Sequence, residues 1–251
     1  MKTTTKFLAA MVMSLAVAGA VRAESGTLAQ KSLEIIRTVD PVFPDSAAQV
    51  TSTGEASIAI NVSAEGKLVD CLVLSYTRKV FATEALRALK QWKFVAATYD
   101  GKPVSVVTEL DFDFRATGVV VSLSAMESLE RIMNPLLREK LDYAPCGLRE
   151  IDRIPMPINV ISPSYPSSLA AKGVEGSVVI VFYIDEEGKV RMPAIQDASN
   201  MQLAELALGA ISQWRFEPPT RHGVPVLVRA SQCFNFMPRG GVPKVEAGAH
   251  L

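Results

Sequence analysis

A chain of 251 residues has room for about two ordinary domains, and its 49% hydrophobic content supplies enough core material to exclude wholesale disorder. Lys plus Arg number 26, and so do Asp plus Glu. Balanced charge, with no like-charge run, argues against a nucleic-acid binder, which carries a basic stripe.

Lys2 and Lys6 precede an apolar stretch, residues 7–20, that is too short to span a bilayer. Val21-Arg22-Ala23 then places small residues two apart ahead of Glu24. This is the pattern of a secretory signal peptide over residues 1–23; the alternative is an uncleaved membrane anchor. No Cys follows to take a lipid, and no later stretch is long and apolar enough to cross a membrane. The expected location is the periplasm.

The first domain is expected over residues 28–115. Phe43-Pro44 opens a short helical turn ahead of Gly54. Ile58, Ile60 and Val62 alternate with Ser57, Ala59 and Asn61, the period of a half-buried strand. Ala64-Glu65-Gly66-Lys67 is a turn whose glycine supplies a positive φ, and a second strand runs over residues 68–75. Phe81, Ala85, Ala88, Leu89 and Trp92 form one apolar helical stripe, which must be buried. After Gly101-Lys102-Pro103 a last strand puts Val106, Leu110, Phe112 and Phe114 on one face. Glu109, Asp111 and Asp113 fall on the other.

Residues 116–157 read as a connector. Ser124 and Glu127 fit a capping box, which predicts a helix over 124–140, bent or broken at Asn134-Pro135. Pro145, Pro155 and Pro157 predict an extended, stiff stretch. The second domain, residues 158–238, repeats the order of the first. Its strand face Val179, Val181 and Tyr183 is apolar enough to be covered as well. Residues 239–251 read as a frayed tail.

The two domains are copies. Shifted by 122 residues, the chain lies on itself without a gap. Phe43-Pro44 meets Tyr165-Pro166, Gly66-Lys67 meets Gly188-Lys189, Gln91-Trp92 meets Gln213-Trp214, and Phe112 and Phe114 meet Phe234 and Phe236. Both tryptophans of the chain fall in this register. The expected fold is α+β: two tandem domains, each a three-stranded antiparallel sheet with its helices packed on one face. A sheet of that kind has two edges, and at least one is expected to matter for function.

Copy two carries an ordered set of motifs: Pro163-Ser164-Tyr165-Pro166, Glu175-Gly176, Asp185-Glu186-Glu187-Gly188-Lys189-Val190, Trp214-Arg215-Phe216-Glu217-Pro218 and Gly223-Val224-Pro225-Val226. In order and spacing they closely resemble the TonB C-terminal domain family. Copy one, over about residues 36–115, resembles it as a diverged member, with Phe43 for Tyr165 and Thr53-Gly54 for Glu175-Gly176. The resemblance implies a periplasmic module that binds a short extended peptide, in the family a segment of an outer-membrane receptor, as a strand beside the last strand of the domain. Carried over position by position, the implied peptide-binding residues are Val226, Leu227, Val228 and Arg229, with the Ser164-Tyr165-Pro166 turn nearby. That turn reads equally well as a structural cap. The membrane helix and long Pro-rich spacer of a complete transducer are not among the expected segments.

The expected role is binding of a protein or peptide partner, as an accessory to TonB-dependent uptake. The alternative is a structural or assembly protein that dimerises through sheet edges or the apolar second face. His222 and His250 are the only histidines, and no hydrolase, zinc-protease or phosphate-loop motif is present. No catalytic residue, cofactor, metal ligand, small-molecule substrate or nucleic-acid partner is therefore assigned. Asp185-Glu186-Glu187 reads as a solvated turn rather than a cation site. Cys71, Cys146 and Cys233 lack metal-site spacing and leave open one disulfide with a spare thiol, or three buried thiols.

Overall fold

The computed structural model describes residues 32–123, 141–237 and 244–246. The expected signal peptide, the helix expected over 124–140 and most of the tail lie outside the described residues.

In copy one a short strand, β1 (Glu34–Arg37), and a single helical turn, α1 (Asp45–Ala48), precede the hairpin of β2 (Thr53–Val62) and β3 (Leu68–Tyr76). Helix α2 (Lys79–Leu89) follows. Short strands β4 (Lys93–Val95), β5 (Ala97–Tyr99) and β6 (Lys102–Val104) lead into the long β7 (Val106–Arg115), and β8 (Gly118–Leu123) turns back along it. Copy two repeats the order: β9 (Pro157–Asn159), α3 (Ser167–Ala171), β10 (Gly176–Ile184), β11 (Val190–Ala198) and α4 (Met201–Ile211). It ends in β12 (Arg215–Phe216), β13 (Thr220–Arg221), β14 (Val224–Pro225), β15 (Val228–Phe236) and β16 (Lys244–Glu246).

The sheets run β3-β2-β7-β8 and β11-β10-β15-β16, antiparallel throughout. The three expected strands of each copy are present. Each sheet gains a fourth from sequence outside the repeat, β8 from the connector and β16 from the tail.

The helical stripe is buried as its spacing requires. Phe81, Ala85, Ala88, Leu89, Leu203, Ala207 and Ile211 are inaccessible to solvent, and Ala210 is nearly so. Alanines at the contact bring each helix close to its sheet. Trp92 and Trp214 follow the helices and are 5% and 2% exposed. Each indole N–H donates to a backbone carbonyl 53 residues earlier, Val39 at 2.9 Å and Ile161 at 2.8 Å. The buried ring thus keeps its one donor satisfied and ties the entry segment of its copy to the core. α4 also has a side-chain cap, Asn200 Oδ1 accepting from the N–H groups of Gln202 and Leu203; α2 has none.

The turns repeat as closely. Asp100-Gly101 has φ of 51° and 72°, and His222-Gly223 has 52° and 75°. Positive φ at both central residues is the type I′ turn that fits the twist of a two-residue hairpin. Gly66 and Gly188, at 73° and 77°, head the long hairpins.

The copies meet through the sheet faces that the helices leave bare. Ala59, Leu72 and Leu74 of copy one pack with Tyr183, Met192 and Leu227 of copy two, with Val107 and Tyr143 at the margin. The expectation that Tyr183's face is covered is met at Tyr183, while Val179 and Val181 remain half-buried. Polar contacts surround this apolar patch. Arg191 grips Asp70 with two nitrogens, Nε at 3.1 Å and Nη2 at 2.7 Å, donates to the Cys71 carbonyl at 3.3 Å, and lies 3.6 Å from Asp185. Tyr143 donates its hydroxyl to Glu186 at 2.5 Å, and Tyr183 donates to Glu109 at 3.2 Å. The acidic turn expected to be solvated is therefore part of the fastening: Asp185 is buried, and its Oδ1 accepts from the N–H groups of Glu187 and Lys189.

Arg191→Ala is expected to lower stability by only about 1 kcal/mol, because the pair is partly exposed. It should raise amide exchange on both sides of the interface, as read by exchange mass spectrometry.

Candidate functional site

The expected peptide-binding residues sit at the start of β15, the strand between β10 and β16. The sequence alternates so that Phe234 and Phe236 enter the helix-side core, with Ala230 packed against it, and Val228 is wholly buried. Leu227 points the other way, into the patch between the copies. Val226 is half-buried and Arg229 exposed. The side chains of Leu227 and Val228 are thus buried, and that of Arg229 is exposed.

The direction of this segment's backbone is fixed by one bond. Cys146 N–H donates to the Leu227 carbonyl at 2.8 Å, in a parallel bridge to Val228. Leu227 therefore turns its peptide groups away from β10. By strand alternation Arg229, Ser231, Cys233 and Asn235 do the same. The outer edge of β15 is this series of groups.

Both ends of the edge are met by the chain itself. Cys146 lies at Leu227 and Val228, and β16 pairs with Cys233, Phe234 and Asn235. Ser231 stands between the two segments. The corresponding strand of copy one differs, since β8 pairs with β7 continuously from Leu110 to Arg115.

The Ser164-Tyr165-Pro166 turn is at the other end of this strand. Tyr165 meets Phe236 with ring centroids 5.9 Å apart, and its hydroxyl donates to the Val174 carbonyl. The Pro166 carbonyl accepts from Leu169 and Ala170 and starts α3. Ser164 is exposed. Val228 and Phe236 are eight residues apart along β15, about 26 Å of extended chain, so the structure does not bring the two groups together. Tyr165 and Pro166 cap a turn, and only a partner running the whole length of β15 would reach both ends.

Sequence reasoning missed the segment that reaches Val228. From Leu141 the connector runs as a strap over both copies. Asp142 N–H donates to the Tyr76 carbonyl at 2.9 Å and Tyr76 N–H to the Tyr143 carbonyl at 3.1 Å, while the two tyrosine rings stack at 5.2 Å. Cys146 follows at β15. Asp152 then anchors the strap on the β13–β14 hairpin. Its carboxylate accepts from His222 N–H at 2.7 Å, Gly223 N–H at 2.9 Å and Thr220 Oγ1 at 2.9 Å, and its own N–H donates to the Thr220 carbonyl at 2.8 Å. The prolines announced an extended stretch; nothing in the local sequence states where it docks.

These hydrogen bonds, from Gly223 first and then Thr220 and His222, hold the Asp152 carboxyl below the usual carboxylate range. A depressed folded-state pKa gives stabilisation that is complete above the unfolded value and lost as pH falls through the folded one. The strap anchor is expected to be intact at neutral pH and to loosen only below about pH 4, which an NMR titration of the His222 and Gly223 amides checks.

Two phenols and one thiol beside the patch between the copies are held protonated. Burial, with the Glu109 charge second, raises the Tyr183 phenol, and burial with the Glu186 hydrogen bond raises Tyr143. Burial and the Asp70 charge push the Cys71 thiol up to about 11. All three cysteines are free thiols. At pH 8 iodoacetamide should label Cys71 at least about tenfold more slowly in the folded chain than in urea, because the thiolate is the nucleophile. Among the described residues no group of three or more His, Cys, Asp or Glu is placed to hold a metal, and no helix is long and apolar enough to cross a membrane.

Comparison with known proteins finds two copies of one family in the chain. The model of the Gram-negative bacterial TonB protein C-terminal family matches twice, at residues 39–116 and 161–238. Protein TonB of Vibrio cholerae serotype O1 is 33% identical over 70 residues, which are 28% of this chain and 29% of that protein. Protein TonB of Pseudomonas aeruginosa is 28% identical over 81 residues, 32% of this chain and 24% of that protein. Protein TonB of Xanthomonas campestris pv. campestris strain B100 is 29% identical over 79 residues, 31% and 35%. The matched stretches thus span about a third or less of these relatives. Among solved structures, the solution NMR structure of the Pseudomonas aeruginosa TonB CTD is 27% identical with a TM-score of 0.31, covering 36% of this chain and 91% of that one.

Proposed function

The chain belongs to the Gram-negative bacterial TonB protein C-terminal family, and from that premise we propose that it is a periplasmic module that captures an extended peptide by strand addition along β15 of copy two. The observation that carries this reading is the outer edge of β15. Its outward peptide groups run from Leu227 through Arg229 and Ser231, and among the described residues short segments of the same chain lie against its two ends. Backbone groups on a sheet edge supply affinity to an added strand, and exposed Arg229 supplies charge preference at the rim. Copy one, closed by β8, serves as the scaffold. The partner is a protein of the cell envelope, an outer-membrane receptor by family analogy, and the role is accessory to TonB-dependent transport. The module binds rather than catalyses and uses no cofactor.

Assembly into a dimer through the apolar second face of copy two is the competing reading. Tyr183 and Met192 of that face pack on copy one of the same chain, which leaves Val179 and Val181 as its remaining motive on that face.

Ser231→Pro tests the proposal. It deletes the outward N–H at the middle of the edge and sets a ring there, while Ser231 is only half-buried. The immobilised wild-type chain should retain an outer-membrane receptor from an envelope extract, and the variant should retain at least about tenfold less. Retention of no envelope protein by the wild type, or equal retention by the variant, contradicts strand addition at this edge.

A further inference from the structure

The connector strap touches three places: the end of β3 in copy one, the start of β15 in copy two, and the β13–β14 hairpin. Its middle contact falls on the residues that the strand-addition reading gives to a partner. Cys146 is 5% exposed, and its N–H occupies the Leu227 carbonyl. Leu227 itself belongs to the patch between the copies, and its side chain is wholly buried there. Tyr143, three residues before Cys146, belongs to the same patch margin and hydrogen-bonds Glu186 across it. The strap cannot leave β15 without disturbing groups that hold the two copies together.

We infer that Cys146 and its neighbours act as a built-in competitor for the Leu227–Arg229 backbone, so that peptide capture by copy two and loosening of the two copies are a single coupled equilibrium. The inference rests on the strand-addition reading of β15 and adds its regulation. A partner meets a site whose competent fraction is small, and its apparent affinity is reduced by that fraction. Anything that frees the strap, or eases the copies apart, raises affinity without touching the edge. A simple competition, with the copies fixed, predicts a response to strap variants alone. The coupled version also predicts a response at Arg191, on β11, which forms part of neither the strap nor the β15 edge.

The test uses the full chain and a fluorescent synthetic peptide with the sequence of residues 141–152, the strap itself supplied in trans, with a scrambled peptide as control. Cys146→Pro removes the N–H that holds Leu227, and Asp152→Ala removes the anchor while leaving Cys146 in place. Both should bind the peptide at least about tenfold more tightly than the wild type, and Arg191→Ala about threefold more tightly. Thermal unfolding establishes that each variant is folded, and Asp152→Ala decides the matter should Cys146→Pro not fold. Equal binding by the wild type and all variants overturns the coupling and leaves strand addition standing. A gain in the strap variants with none in Arg191→Ala overturns the coupling between the copies. Binding by no variant, with the Cys146 region shown by amide exchange to be open in Asp152→Ala, overturns the inference together with the reading beneath it.

Discussion

Replacing Trp214 by Ala is expected to cost about 3–5 kcal/mol, the range for deleting a buried aromatic side chain. The ring is 2% exposed, packs against Phe216 and Phe234 with centroids 6.0 and 5.7 Å away, and donates to Ile161. Its loss leaves a cavity between α4 and the sheet and an unpaired carbonyl at the entry of copy two. Trp214→Phe keeps most of the ring and loses the donor, so it should cost roughly 1–3 kcal/mol, much of it the unpaired Ile161 carbonyl. Urea denaturation followed by far-UV circular dichroism separates the two variants. Equal midpoints for wild type and Trp214→Ala would show that the stripe is not the core of this copy. Trp92→Ala should behave alike, since its ring and its bond to Val39 repeat the geometry.

The second large effect is Gly188→Ala, and it comes with an internal control. Gly188 and Gly223 have nearly the same φ, 77° and 75°. A Cβ at Gly188 would stand 2.0 Å from the Phe216 carbonyl oxygen and 3.0 Å from its carbon, whereas one at Gly223 would meet nothing within 4 Å. Gly223→Ala therefore carries only the cost of a side chain at positive φ, about 1 kcal/mol. Gly188→Ala adds a collision with backbone that cannot swing aside, and roughly 3 kcal/mol or more is expected. Gly66→Ala, with its Cβ 2.6 Å from the Phe94 oxygen, should fall between them. Urea midpoints in the order Gly223→Ala, Gly66→Ala, Gly188→Ala, from least to most destabilised, are the expected result; equal shifts would mean that φ alone matters.

These two sites also show why so much of each copy was legible. A helical stripe ending in Trp, and a turn glycine beside Lys, are local patterns whose physical meaning does not depend on the rest of the chain. Seen twice at a spacing of 122 residues, they fix the topology as well. The arrangement of the copies was less legible, because it depends on faces that meet only in three dimensions. A signal was present all the same. Asn61, Asp70 and Ser105 of copy one stand where copy two has Tyr183, Met192 and Leu227. Three polar positions turned apolar in one copy alone mark a face that one copy must cover, and all three enter the patch between the copies. The contact is heterologous, joining different positions of the same bare sheet face in the two repeats, so it does not follow from the symmetry of the duplication.

The candidate site was legible in one respect. The strand to which the resemblance points is an edge of the repeated three-stranded unit. Its occupants were not legible. The backbone of Cys146 pairs with Leu227 through groups every residue carries, and β16 comes from Gly- and Pro-rich sequence that resembles a tail. Backbone pairing leaves no mark in side-chain pattern. Asp152 is the exception: an acid held by three donors of a tight turn is a recognisable device once the turn's position in space is known.

The account stands or falls on where a partner's backbone lies. Amide exchange of the full chain, free and loaded with the envelope protein that the wild type retains, reads this position by position. The account predicts that the amides of Arg229 and Ser231 slow by at least about tenfold in the complex while those of the α2 and α4 faces stay as they were. Protection confined to copy one or to the helices, with Arg229 and Ser231 unchanged, would contradict it.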